Sequence, residues 1–211
     1  MRRRDTRVRV FDNDVLEWLT RVHPVVPALF WAPLVGYLLW RSFAVHQLRG
    51  SVVAALSVGG LIAWTFTEYV AHRFVFHLAP GSPTRRRVQF IVHGVHHEDP
   101  DDPTRMLMPP IPSVIATAAL YGLFRIILGS VWVDPFFASF LVGYLAYDYT
   151  HLAIHYGTPR TALWRYLRRR HMLHHFVTPD ARWGVTSPLW DWIFRTTGER
   201  SAAQNRTPMA G

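Results

Sequence analysis

Residues 52–77 read VVAALSVGGLIAWTFTEYVAHRFVFH, an apolar run from Val52 to Val70 that passes directly into His72 and His77. Roughly 20 apolar residues cross a bilayer as a helix, and this run lacks the polar stripe that a soluble amphipathic helix carries. It predicts a membrane helix whose last turn enters a metal-ligating segment. The same plan returns where the apolar run 131–147 leads into His151-Leu-Ala-Ile-His155. Each of these runs follows another, 25–45 and 111–128, so the chain predicts four transmembrane helices in two hairpins. Pro27, Pro33 and Arg125 interrupt the pattern, while Trp31, Trp40, Trp64, Tyr121 and Trp132 supply aromatic residues typical of membrane interfaces. A soluble bundle of four buried helices is disfavoured because runs two and four have almost no polar face.

Ten of the twelve histidines fall into four clusters, each beside one of these runs. After each hairpin comes a histidine pair, a basic stretch and a His-x-x-His-His element, His93-Gly-Val-His96-His97 and His171-Met-Leu-His174-His175. Residues three and four apart share a helix face, so each triplet is expected to converge on one point, and His151 and His155 to form a pair. His72 and His77, five apart, require the helix to end or bend between them, or serve different metals. Imidazole is the commonest neutral metal ligand, and ten exceed what one tetrahedral site uses. The count predicts two metal ions, held in two half-sites by an internal repeat. His23 and His46 lie outside the clusters and are expected to have ordinary packing roles.

There is no cysteine, which excludes disulfides, thiolate nucleophiles and iron–sulfur ligation. All 23 basic residues are arginine, which excludes Schiff-base chemistry and points to a GC-rich genome. The net charge of +9 gathers in Arg2-Arg3-Arg4, Arg85-Arg86-Arg87 and Arg168-Arg169-Arg170, between apolar runs. Such triplets act as topology signals and headgroup contacts rather than as a nucleic-acid surface. Placing the N-terminus, the 71–110 loop and the tail after Thr150 in the cytoplasm puts nearly all arginines, and all ten clustered histidines, on one side. The N-terminus lacks the features of a cleaved signal peptide. A single domain is expected in a bacterial inner membrane, with both termini cytoplasmic: segment 1–24, membrane hairpins and intervening loop 25–150, a cap 151–200 and a flexible tail 201–211.

The run His72-Arg-Phe-Val-Phe-His77, followed by His93-Gly-Val-His96-His97-Glu-Asp-Pro-Asp-Asp102-Pro-Thr-Arg105-Met-Leu-Met-Pro109-Pro110, resembles the fatty acid hydroxylase superfamily. The Met-Pro-Pro loop and Trp183-Gly-Val-Thr-Ser187-Pro-Leu-Trp190-Asp191 are similar to fatty acid 2-hydroxylases, and the resemblance spans Thr67 to Thr197. It implies an all-α integral membrane protein with a cytosolic helical cap over four membrane helices. It also implies a dimetal site ligated by the ten clustered histidines, holding two iron ions when active and open to zinc on purification. The implied reaction hydroxylates the alpha carbon (C2) of a long lipid acyl chain with O2 and two electrons. Tyr156 departs from a pattern in which the family often carries a further histidine. The haem-domain motif His-Pro-Gly-Gly is also missing, since His23-Pro24 is followed by Val-Val. The expected electron donor is therefore a separate cytochrome b5-like protein, ferredoxin or reductase.

Around the histidines, Asp102, Asp148 and Asp191 are expected to orient imidazole N–H groups, or else to serve as helix caps and salt bridges. Arg105 either pairs with Asp102 or binds a lipid headgroup. Phe66, Tyr69, Tyr144 and Tyr147 either line an acyl channel or pack between helices. The same ligand set also suits desaturation, sterol-type methyl oxidation, and carotenoid or ornithine-lipid hydroxylation. Zinc-assisted hydrolysis is less well matched, because no His-Glu-x-x-His element supplies a general base. A purely structural role for the metals is the third reading.

Overall fold

Three helical segments are long and apolar enough to cross a membrane: Val25–Val45, Gly50–Phe76 and Pro103–Tyr156. The structure, a computed structural model, describes residues 8–79 and 81–198; the Arg2-Arg3-Arg4 triplet and the tail from 201 lie outside them. In chain order the α-helices are α1 (Asp14–Leu19), α2 (Val25–Trp40), α3 (Gly50–Ala71), α4 (Pro83–Gln89), α5 (Val95–Glu98), α6 (Pro110–Tyr156), α7 (Ala162–Phe176) and α8 (Leu189–Ile193). There is no strand among the described residues.

At about 1.5 Å per residue, the 47 residues of α6 would run about 70 Å if straight, more than twice a hydrocarbon core of about 30 Å. The helix breaks instead at Gly129, whose φ of 82° and ψ of 171° suit a residue without a Cβ. Its two arms fold back on one another: the rings of Tyr121 and Phe137 lie 5.1 Å apart, and those of Phe124 and Phe136 lie 4.8 Å apart. The third and fourth apolar runs are thus antiparallel arms of one hairpin. The second arm is the centre of the bundle, burying Val133, Phe137, Phe140, Leu141 and Tyr144 with Trp31 and Leu38 of α2. Against α3 it packs at backbone distance. A Cβ on Gly60 would stand 2.0 Å from the Phe136 carbonyl oxygen, and one on Gly143 would stand 2.6 Å from the Trp64 side chain. Small residues permit such close approach between membrane helices.

Three of the helices end in a single π turn. After α3 the His77 N–H donates to the His72 carbonyl at 3.1 Å, a bond across five residues. Similar turns cover Arg41–Val45 after α2 and Phe90–Gly94 between α4 and α5. At the end of the bundle away from the clustered histidines, fully buried Asp134 forms an ion pair with Arg41 Nε at 3.2 Å, accepts from the Tyr121 hydroxyl at 3.1 Å, and lies 3.0 Å from His46 Nε2. His23 accepts a bond from Val25 N–H at 3.3 Å. Both isolated histidines therefore have local structural partners.

The α3–α6 contact makes a direct prediction. Gly60→Val should destabilise the protein by about 1–3 kcal/mol, the usual cost of overpacking, lowering the thermal midpoint in detergent. Gly36→Ala, where a Cβ meets nothing within 4 Å, should leave that midpoint unchanged or raised. Equal midpoints for the two variants would contradict the packing described.

Candidate metal centre

The ten clustered histidines gather into two groups of five. His72, His77, His93, His97 and His174 form one, and His96, His151, His155, His171 and His175 the other; within each, one nitrogen per ring lies within 4.8 Å of all the rest. The triplets do not each converge on one point, as their spacing suggested. His93 and His97 join the first group while His96 turns to the second, and His171 and His175 join the second while His174 turns to the first. Helical periodicity gives the reason. At about 100° per residue, positions four apart differ by about 40° and share a direction, whereas adjacent positions diverge by about 100°. The two halves of the internal repeat therefore exchange one histidine each. The five-residue spacing of His72 and His77 is absorbed by the π turn between them, a feature frequent at functional sites.

The nitrogens facing one another are poorly satisfied by the protein. His72 Nδ1 lies 2.6 Å from the Trp183 carbonyl, His174 Nδ1 2.8 Å from that of Ala181, and His151 Nδ1 3.3 Å from that of Met106. A carbonyl can only accept, so each Nδ1 carries the proton and Nε2 presents a lone pair to the group. Among the described residues, buried Nε2 atoms with no partner remain on His72, His93, His97 and His151, and buried Nδ1 atoms with none on His96, His171 and His175. Elsewhere Nε2 atoms face each other at 3.0–3.1 Å, as for His171 with His155 and His174 with His77. Each buried unsatisfied group costs about 1–3 kcal/mol against a net stability of about 5–15 kcal/mol, so the arrangement suits cations at the two centres. Burial, and then crowding by other imidazoles, lowers the pKa values of His77, His93, His96, His97, His171 and His175. These rings are held neutral, the form that binds metal.

The expected carboxylates act elsewhere. Asp102 caps the Pro103–Arg105 turn through Thr104 N–H at 3.0 Å and pairs with Arg21 at 2.7 Å; it touches no imidazole because these local donors saturate it. Arg105 is buried against Glu17, Thr20 and the Val8 carbonyl, with Asp102 at 3.5 Å, which favours the ion-pair reading over a headgroup contact. Asp148 is fully buried three residues before His151, where the Tyr144 hydroxyl and Met108 N–H face it without full hydrogen-bond geometry. Asp191 accepts the N–H groups of Trp183 and Gly184 at 3.0 and 2.9 Å and Arg170 at 2.7 Å. It shapes the segment that supplies the carbonyl to His72 rather than touching a ring. Tyr156 is half exposed, its hydroxyl reaching the Pro100 carbonyl at 3.4 Å, and stands outside both groups. Sequence reasoning missed Glu68, which receives bonds from Val185 and Thr186. An ionisable residue inside an apolar run, four positions before a histidine, was the available signal.

A cavity of about 350 Å³ adjoins the histidines. His93, His96, His151 and Asp148 lie in its wall, and the remainder is largely apolar: Leu16 and Leu19 of α1, Ile91, Val92, and Met106 to Pro109. Of the aromatic residues expected at a channel, Tyr147 lines it and stacks near His151 with ring centres 5.8 Å apart. The other three pack between helices: Phe66 against Trp190, Tyr69 against Phe194, and Tyr144 against Trp31 and Trp64. The contribution of α1 and of Ile91 and Val92 had no motif to mark it.

Residues 57–196 match the family model described as fatty acid hydroxylase. The chain is 34% identical over 209 residues to fatty acid 2-hydroxylase of Mus musculus, covering 90% of this chain and 56% of that protein. It is 34% identical over 198 residues to dihydroceramide fatty acyl 2-hydroxylase FAH2 of Arabidopsis thaliana, covering 93% and 83% respectively. This chain thus spans just over half the length of the mammalian relative. A solved structure described as full-length scs7p, with only the hydroxylase domain visible, superimposes with a TM-score of 0.82 at 34% identity. That match covers 88% of this chain and 70% of the other.

The exchange of histidines between the groups predicts a pattern of metal stoichiometry. Loaded with zinc and dialysed, the full chain should retain two ions and the double variant His93→Ala/His97→Ala one. Adding His174→Ala should leave that ion in place, whereas adding His96→Ala should loosen it toward chelators. The opposite assignment would refute the exchanged arrangement.

Proposed function

The chain belongs to the fatty acid hydroxylase family, and from that premise we propose that it is a dimetal membrane monooxygenase hydroxylating C2 of a long lipid acyl chain. The observation that carries this reading is the apolar cavity beside two groups of five histidines. The ten histidines would hold two iron ions, zinc being able to take the same ligands on purification. Bound iron would supply reductive activation of O2, drawing two electrons from a donor protein, and so the power to break an unactivated C–H bond.

The protein's own part is placement and exclusion. His72, His151 and His174 are kept in the tautomer that presents Nε2 by carbonyls of Trp183, Met106 and Ala181. The cavity wall of Leu16, Leu19, Ile91, Val92 and Leu107 would grip the methylene chain and keep water from the reacting carbon. Glu17 and Arg105 tie α1 to the loop beneath it, closing that side. No side chain here has the basicity to deprotonate an alkyl carbon, so acid–base chemistry alone would not serve.

The topology proposed is four spans, formed by α2, α3 and the two arms of α6, with the histidine-bearing segments as a cap on the cytoplasmic side. The charge distribution supports this orientation: Arg41 is neutralised by Asp134 at the far end, where Arg125, near the Gly129 turn and close to Tyr121, also lies. The described residues then form a single hydroxylase domain.

Expression in a host lacking such lipids, followed by mass spectrometry of hydrolysed acyl chains, should reveal 2-hydroxy acids. His97→Ala should reduce them at least about a hundredfold, the loss of roughly 3 kcal/mol of transition-state stabilisation. A new double bond without added oxygen, or hydroxylation at another carbon, would overturn the assignment.

A further inference from the structure

Resting on the dimetal reading, we propose that Glu68 is a positioning residue for one metal group only, acting through the backbone of residues 181–187. Glu68 is buried on α3, one turn before His72. A carboxylate in so apolar a run is costly unless its oxygens are satisfied. All its bonds come from one segment: the N–H groups of Val185 and Thr186 at 2.6 and 2.9 Å, and the Thr186 hydroxyl. That segment supplies the carbonyls of Trp183 and Ala181 that fix His72 and His174.

Asp191 of α8 grips the same segment from the other side, through the N–H groups of Trp183 and Gly184. The turn between is tight, since a Cβ on Gly184 would lie 2.0 Å from the Ser187 carbonyl oxygen. The orienting carbonyls are therefore clamped between two buried carboxylates. Because Glu68 on α3 lies four residues before His72 in the turn that continues it, one continuous helical segment carries both a metal-facing histidine and the anchor of the segment that orients it. Both histidines so oriented belong to the group His72, His77, His93, His97 and His174. In the other group the corresponding support is the longer contact of His151 to Met106, while Nδ1 of His96, His171 and His175 has no partner among the described residues. Loss of Glu68 should thus release one metal and spare the other.

The test is metal release from the zinc-loaded full chain in detergent, with zinc per chain counted during chelator titration. Wild-type protein should hold two ions; a count other than two would refute the dimetal reading itself. In Glu68→Ala one ion should leave at about ten- to a hundredfold lower chelator concentration, the usual effect of losing an outer partner, and the second should leave as in wild type. Glu68→Gln, which keeps one oxygen for both N–H groups, should retain two ions. Two ions held as in wild type, or both loosened equally in a folded Glu68→Ala protein, would overturn the proposal. If Glu68→Ala does not fold, Glu68→Met, which keeps the side-chain volume but removes both acceptor oxygens, decides: loosening confined to one ion supports the role, and unchanged release of both, or equal loosening of both, refutes it.

Discussion

Ten imidazoles gathered into two groups, with ring nitrogens facing one another as closely as 3.0–3.1 Å, are the constraint on which the rest of this structure depends. Among the described residues nothing pairs with the buried Nε2 atoms of His72, His93, His97 and His151. Cations at the two centres would resolve the conflict, and the fold presents the rings for that. The long apolar helices provide rigid columns, and the π turns at their ends adjust the register where a ligand must be placed. Polar segments then return over the column ends to complete the two groups.

The exchange of His96 and His174 between groups gives the internal repeat a purpose beyond duplication. Each half supplies four histidines to its own group and one to the other, so neither group can be completed by one hairpin alone. Metal loading would thereby be coupled to the docking of the two halves, as expected where a site does not exist in the unfolded chain. The surroundings of the two groups nevertheless differ. Carboxylate-clamped carbonyls support the first, whereas the second has its Nδ1 atoms largely unpartnered. Histidines of both groups, His93 with His96 and His151, reach the cavity wall.

The apolar runs and the ten histidines were legible in the sequence, because membrane length and residue type are local properties. Their grouping was only partly legible: a three-and-four spacing marks a shared helix face, but not whether His96 and His97 point at one centre or two. The five-residue gap between His72 and His77 did signal an irregular turn. The carboxylates were harder to place. Asp102 is consumed by Arg21 and Thr104, and Glu68 binds a segment more than a hundred residues away. Both outcomes depend on tertiary neighbours that no spacing reveals. The same holds for the cavity, whose wall draws on α1 and on Ile91 and Val92, residues with no motif of their own.

X-ray diffraction from crystals of the metal-loaded protein, recorded at the absorption edge of the bound metal, tests the central claim most directly. The account predicts two anomalous peaks: one enclosed by His72, His77, His93, His97 and His174, the other by His96, His151, His155, His171 and His175. A single peak, or peaks enclosed by the intact triplets His93, His96, His97 and His171, His174, His175, would contradict it.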